Sequence, residues 1–260
     1  MAMQTTKAAA KAAAFLKQKK YREEQGEFLA EGLRTVEEAV EYGDVNWLFY
    51  VENDDPRQKK LIEKAEAKGI SVSDTFAGYM AQIADTVTPQ GVIAVCKIPK
   101  TSLADLAKID KMFMVLDRIQ DPGNMGTIIR TADAAGVSGI ITMAGSVDVY
   151  SPKVVRSSMG SVFHIPIVEG VTEEQLKAFC KEHNYILVVT AMEGGQNVFA
   201  YVPRRRMLVV VGNEANGVSE TLLEVADKRL FIPMRGRAES LNVAIAAGII
   251  MFKLTRDYTR

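Results

Sequence analysis

Three segments combine side chains able to hold anions or move protons with turn residues that present such groups at strand ends. The first, RIQDPGNMGTIIRTADAAGV (118–137), makes a turn at Pro122-Gly123-Asn124. There Asn124 can cap a helix from about Met125 to Ala135 that stops at Gly136. Arg130 follows Asn124 by six residues. It is either a solvent-facing arginine of an amphipathic helix or a guanidinium aimed at a phosphate or hydroxyl. The second, GNEANGVSETLLEVAD (212–227), brackets Glu214 between Gly212 and Gly217, which lets backbone approach a ligand closely. A carboxylate near a helix N-terminus is also electrostatically favoured, so Glu214 has a purely structural reading as well. The third, IPMRGRAESLNVAIAAGIIMFKLTR (232–256), runs from a proline-containing strand end through Ser240, Leu241 and Asn242 into an apolar helix. Ser240 can be the N-cap of that helix, and Leu241 and Val243 can be plain core. Neither strand–helix loop carries a G-x-G-x-x-G dinucleotide fingerprint.

Such loops need strands to launch them. MFMVLD, GIITM, YILVVTA, MLVVVGN and LFIP are short, nearly continuous apolar runs separated by helical stretches, the pattern of a parallel sheet covered on both faces. Thr172 with Gln175 predicts a capping box for a helix ending near Glu182. The first hundred residues read as a smaller α/β unit. It has a helix after Glu31-Gly32, strand-like WLFYV, a helix started by Asp55-Pro56, and strand-like ISVS and GVIAVCKI. Pro99 to Lys111 mixes polar and charged residues and is the best linker, which divides the chain into 1–105 and 106–260.

Composition narrows the classes. With 48% hydrophobic and 25% charged residues over 260, the chain is that of a folded protein, not a disordered or collagen-like one. Lys plus Arg and Asp plus Glu number 32 each, which argues against nonspecific coating of nucleic acid. Yet Lys7, Lys11, Lys17, Lys19, Lys20 and Arg22 all precede the first acidic residue, and Arg204, Arg205 and Arg206 cluster before a strand. The early group is either a solvated helix face or a phosphate-tracking surface. No apolar run approaches the roughly 18 residues of a membrane span, and the alanine-lysine N-terminus lacks a secretory pattern, so a cytoplasmic protein with no membrane partner is expected. Cys96 and Cys180 are expected to be buried and reduced. With only His164 and His183, no metal site is expected.

Taken in order, DPGNMGTIIRTADAAGV, GNEANGVS and IPMRGRAESLNVAIAAGI resemble the three signature motifs of the SpoU/TrmH family of RNA ribose methyltransferases, in the SPOUT superfamily. SPKVVRSSMGSVFHIPI (151–167) resembles the segment between the first two motifs. EFLAEGLRTVEEAV (27–40) resembles the start of a substrate-binding domain, similar to a small RNA-binding ribosomal protein, found in members that act on large-subunit ribosomal RNA. The resemblance implies a parallel α/β SPOUT domain tied in a deep trefoil knot plus a smaller N-terminal α/β RNA-binding domain. It implies S-adenosylmethionine as cofactor, lined by Gly212, Ile232 and Leu241, and active-site positions at Asn124, Arg130, Glu214, Ser240 and Asn242. It further implies a homodimer and methylation of a ribose 2′-hydroxyl, with 23S ribosomal RNA favoured over transfer RNA. Arginine is a poor base because its pKa lies above about 12, so Arg130 is assigned to phosphate gripping and oxyanion stabilisation. The proton acceptor is then either that phosphate or Glu214. MRGRAE, before Ser240, has more charge than the family pattern leads one to expect, and Arg235 and Arg237 receive no catalytic role. Two competing readings are a non-catalytic RNA-binding protein of the same fold and a nucleotide-dependent oxidoreductase. The first is opposed by the presence of Asn124, Arg130, Glu214 and Asn242 together, and the second by the missing glycine fingerprint.

Overall fold

A computed structural model describes residues 3–109, 111–191 and 194–256. The chain starts with β1 (Met3–Gln4), α1 (Lys7–Phe15), α2 (Lys19–Gln25), β2 (Glu27–Glu31), α3 (Leu33–Tyr42) and β3 (Val45–Tyr50). It continues with α4 (Pro56–Ala67), β4 (Ser71–Asp74), α5 (Ala77–Ile83), β5 (Val92–Lys97) and α6 (Leu103–Leu106). Then come β6 (Phe113–Leu116), α7 (Pro122–Ala135), β7 (Ile140–Met143), α8 (Pro152–Ser157), β8 (Ile167–Val171) and α9 (Glu173–His183). The last are β9 (Ile186–Thr190), β10 (Gln196–Asn197), β11 (Met207–Val211), α10 (Glu220–Val225), β12 (Lys228–Phe231) and α11 (Val243–Thr255).

These elements pack as two compact units, and the units are not two halves of the sequence. The first takes the chain up to Pro99 together with Asp148–His164; the second takes Lys100–Val147 and Ile165 onward. The sequence alone places one boundary near residue 105 and nothing at 148. Inside the stretch read as linker, Leu103–Leu106 is helical, because Ser102 and Asp105 cap it reciprocally.

In the first unit the sheet order is β1-β4-β3-β5-β2, with β5 antiparallel to both of its neighbours. Leu29, Phe49, Ile93 and Val95 meet Ala13, Leu16, Met80 and Ile83 in one core. Arg22 is 4% exposed and is one of the residues that tie the 148–164 excursion to this unit, with Phe28 packed on Tyr150 and Phe163 as another. Arg22 Nε donates to Asp148 Oδ2 at 3.0 Å, and its Nη1 donates to the Leu16 carbonyl at 2.7 Å. A buried guanidinium without that carboxylate would be costly, so the two segments are tied.

The second unit is a seven-stranded sheet in the order β10-β12-β9-β11-β6-β7-β8, parallel throughout. Every residue of β6, β7 and β11 is buried, as strands covered on both faces must be. The predicted capping box at Thr172 and Gln175 starts α9. Strand β8, not singled out by the sequence, is an edge strand interrupted by exposed Glu169 and Gly170. Among the described residues both cysteines are free, and Cys180 is only partly buried.

Candidate active site

The site grows from two neighbouring strands, β6 and β11, which pair Leu116 with Val211 at their carboxyl ends. From β6 the sheet continues through β7 and β8 on one side, while β9 and β12 lie beyond β11 on the other. Loops leaving such a switch point form a natural ligand crevice in an open parallel sheet.

The loop after β11 is folded tightly on itself. Asn213 N donates to the Gly217 carbonyl and Gly217 N to the Asn213 carbonyl, each at 2.9 Å. The Asn213 Oδ1 accepts from the amides of Ala215 and Asn216 at 3.0 and 3.1 Å. Only glycine fits at position 212, because a Cβ there would stand 2.1 Å from the Gly217 carbonyl carbon. Buried Asp117, just past β6, accepts from Ser219 N at 2.7 Å and anchors the far end of the loop.

The tip of this loop reaches the start of α7. Glu214 Oε1 accepts from Asn124 Nδ2 at 3.0 Å and from Asp121 N at 3.2 Å; Oε2 accepts from Gln120 N at 3.3 Å. Partial burial pushes the Glu214 pKa up, but the hydrogen bonds from Asn124 and the backbone outweigh it and hold the carboxyl below its ordinary value. Asn124 Oδ1 in turn accepts from Asn242 Nδ2 at 3.0 Å, so Asn242, Asn124 and Glu214 form one chain of hydrogen bonds.

This geometry corrects two capping expectations. The N-cap of α7 is Asp121, whose carboxylate accepts from Asn124 N at 2.8 Å, with Pro122 in the first turn. Asn124 lies three residues inside the helix, and its side chain is thereby released for the network. The N-cap of α11 is Asn242, through Oδ1 to the amides of Ala244 and Ile245, and not Ser240. The expected stop of α7 at Gly136 stands, in left-handed conformation with φ 73°.

Beside the network opens a cavity of about 1070 Å³, whose wall includes Gly212, Glu214, Ile232, Ser240, Leu241 and Asn242. Thus six of the eight residues singled out for the site share one wall, and Asn124 joins it through hydrogen bonds. Arg130 stands apart: it is exposed on α7, and its side chain makes no hydrogen bond or ion pair among the described residues. Ser240 is exposed on the wall. Sequence reasoning missed Asp121, Gln120, Asn213 and Asp117. The Asp-Pro signal that identified Asp55 as a cap is repeated at Asp121-Pro122 and would have found the first of these.

The cavity fits an extended small molecule. It combines apolar Val211, Val218, Ile232 and Leu241 with a loop whose backbone is uncovered at Gly212, and its size is ample for a nucleoside-sized cofactor.

The early basic residues divide differently from the expectation of one surface. Arg22 is buried, Lys17 Nζ donates to the carbonyls of Gln82 and Ala84 at 2.7 and 3.1 Å, and Lys19 and Lys20 pair with Glu23 and Glu24. Arg206 likewise donates to the His183 carbonyl at 2.8 Å and lies over the Tyr185 ring.

Comparison with known proteins agrees with this geometry. Residues 7–94 match an MRM3-like substrate binding domain. The chain is 36% identical, over 91% of both sequences, to the 23S rRNA (guanosine(2553)-2′-O)-methyltransferase RlmP of Bacillus subtilis. It superposes with TM-score 0.87 and 33% identity on an AdoMet-bound rRNA methyltransferase from Sinorhizobium meliloti, covering 99% of this chain and 98% of that one. It also superposes with TM-score 0.86 and 30% identity on the SpoU methyltransferase AviRb from Streptomyces viridochromogenes in complex with AdoMet, covering 96% and 98%. Residues 111–252, more than half of the chain and all three signature loops, match the SpoU rRNA Methylase family, and the chain belongs to that family.

Proposed function

We infer that the protein transfers a methyl group from S-adenosylmethionine to a ribose 2′-hydroxyl of 23S ribosomal RNA. The observation that carries this is the cavity at the β6–β11 switch, walled by the signature loops and joined to the Asn242–Asn124–Glu214 chain of hydrogen bonds. When bound, S-adenosylmethionine would supply a methyl group activated by its sulfonium, which leaves as a neutral thioether with the bonding pair. Gly212, Ile232 and Leu241 would hold it, Gly212 by leaving backbone uncovered and the other two by apolar contact.

The remaining steps belong to side chains. Asn124, Asn242 and Glu214 fix the three loops relative to one another, and Ser240 orients groups from the cavity wall by hydrogen bonding. Alignment of this kind is the main protein contribution to an in-line displacement. Arg130 keeps its donors for the RNA, gripping a phosphate and stabilising charge that develops on O2′ as its proton leaves. Glu214 is a poor acceptor for that proton, since both its oxygens are engaged and its pKa is lowered. A phosphodiester gripped by an arginine is a weaker base still, so the proton passes to solvent at the exposed Arg130 side of the site as O2′ attacks.

The first unit selects the RNA, with residues 106–260 supplying the chemistry. The active unit is a homodimer. Helix α11 is apolar all round; its inner face packs on α7, while Ile245 and Phe252, seven residues apart on the same outer face, are each 55% exposed. A second copy covering that face removes the exposure. Among the described residues no helix is long and apolar enough to cross a membrane, and the expected compartment is the cytoplasm.

Incubation with unmodified 23S rRNA transcript and S-adenosylmethionine, followed by mapping of ribose methylation, tests the reaction; a transcript without new 2′-O-methyl groups overturns it. Light scattering tests the dimer. If the site is shared, Arg130→Ala and Asn242→Ala subunits, each inactive, regain activity when exchanged into a verified heterodimer; no recovery means that each subunit holds a complete site.

A further inference from the structure

We propose that Arg118 binds the RNA, gripping a phosphate of the substrate strand near the target ribose and so positioning the strand over the β6–β11 crevice. The proposal rests on the RNA-methylation reading above and adds a contact outside the signature positions. Arg118 follows buried Asp117 at the end of β6 and has φ 56°, in the left-handed region that side chains other than glycine and asparagine enter at a steric cost. Such strain persists where the surroundings impose it, and it clusters at functional positions. The backbone here gains nothing from an arginine, so the gain lies in the side chain.

That side chain is held at its base and open at its end. Nε donates to Asp117 Oδ1 at 3.0 Å, and Nη2 reaches Asp117 Oδ2 only at 3.5 Å. Oδ2 is already taken by Ser219 N at 2.7 Å. The Arg118 side chain is 43% exposed and that of Asp117 only 3%, so the carboxylate is enclosed while the outer guanidinium donors face solvent. A guanidinium braced by a buried carboxylate has lost part of its freedom before it meets a ligand, and its planar fork suits a phosphate.

Its place fits the same role. The Arg118 carbonyl accepts from Asn213 Nδ2 at 2.8 Å and from Gln120 Nε2 at 3.3 Å, so the backbone presenting the guanidinium also fixes the Glu214 loop. The side chain lines a recess of about 260 Å³ at the ends of β6, β7 and β8, on the carboxyl edge of the sheet that also bears the cavity. Glu173 and Glu174 line the recess too and disfavour an anion inside it, so the phosphate meets Arg118 from the solvent side.

The test uses the full chain and unmodified 23S rRNA transcript. Arg118→Asn keeps a residue suited to the left-handed backbone and removes the charge; Arg118→Lys keeps the charge and removes the fork. For R118N, KM for RNA rises about tenfold, kcat and the Kd for S-adenosylmethionine stay within about twofold, and the slope of log K for RNA against log salt falls by about 0.7, one single-strand phosphate contact. R118K keeps the slope and recovers part of the KM. If Arg118 only neutralises Asp117, R118N lowers the melting temperature and weakens the cofactor while the salt slope stays unchanged; that result, or an unchanged KM and slope, overturns the proposal. A wild-type protein that methylates nothing overturns the underlying reading instead, and the salt slope of binding still decides Arg118.

Discussion

Helix α7 carries two residues in opposite circumstances. Near its start Asn124 has both amide atoms engaged, one by Asn242 and one by Glu214. Six residues on, Arg130 is exposed, and its side chain makes no hydrogen bond or ion pair among the described residues. The inner end is a saturated frame and the outer position an open charge. A frame whose donors and acceptors are satisfied holds loops in register but has nothing left with which to take a proton. An exposed arginine costs little when unpaired and keeps its donors for a substrate.

The frame breaks most completely at Gly212. A Cβ at 2.1 Å from the Gly217 carbonyl carbon leaves no relaxed geometry, so Gly212→Ala must open the loop that carries Glu214. Calorimetry is expected to show at least a hundredfold loss of S-adenosylmethionine affinity, with methylation lost in parallel. Normal binding by G212A would mean that this loop is not a cofactor wall.

The open charge gives the opposite signature. Arg130→Ala is expected to lower kcat by about 10²–10³, the size of effect seen when one group stabilising developing charge is removed. Cofactor affinity and melting temperature stay unchanged, because no contact within the subunit is lost. An R130A protein that melts earlier or binds the cofactor poorly would place Arg130 in the frame after all.

That contrast was half legible in the sequence. Continuous apolar runs specified the buried strands, because a strand covered on both faces has no room for alternation. They were silent on β8, whose exposed Glu169 and Gly170 break the run, and on two-residue β10. The return of Asp148–His164 to the first unit is made by contacts between residues far apart in sequence, among them the buried pair of Arg22 with Asp148 and the packing of Phe28 on Tyr150 and Phe163, and no local pattern encodes them. Asn124, Glu214 and Asn242 were singled out by motif resemblance, Asn124 with a capping role and Glu214 with a dipole role as the plain alternative. Their mutual hydrogen bonds, which give Asn242 a capping role and take one from Asn124, required the fold.

A smaller effect is expected at Glu214, where charge is exchanged for an isosteric amide. Glu214→Gln keeps the shape but leaves one acceptor oxygen in place of two and turns an NH2 group toward an N–H donor, so one set of hydrogen bonds is lost and the other loses its charge assistance, at a cost of about 1 kcal/mol once solvent screening of this exposed group is allowed for. A roughly tenfold fall in kcat should accompany the loosened loop. The sign with pH is fixed by the lowered carboxyl pKa: the stability is fully present above the ordinary value of 4.5 and is lost as pH falls through the folded value. Melting curves of wild type and E214Q should therefore differ at pH 7 and converge on acidification below 4.5. A difference that persists in acid would show that the side chain's charge is not what holds the loop.

The smallest effect is expected at Asp121, where two roles are divided between side chain and backbone. Its carboxylate caps α7 by accepting from Asn124 N at 2.8 Å, while its amide donates to Glu214 at 3.2 Å. Substitution removes the first contact and leaves the second. Asparagine caps about as well as aspartate, so Asp121→Asn should leave both melting temperature and kcat nearly unchanged. Alanine cannot cap, and Asp121→Ala should cost about 1 kcal/mol, fraying the turn that carries Asn124 and lowering kcat a few-fold with cofactor affinity intact. Gly123→Ala offers an independent check, because its Cβ would stand 2.9 Å from Asp121 Oδ1 and displace the capping carboxylate without removing it. If capping is the whole role, G123A and D121A lose similar stability and D121N loses almost none. If D121N instead falls as far as R130A, the Asp121 charge takes part in the chemistry, and the division of α7 into a saturated frame and an open charge fails at its first residue.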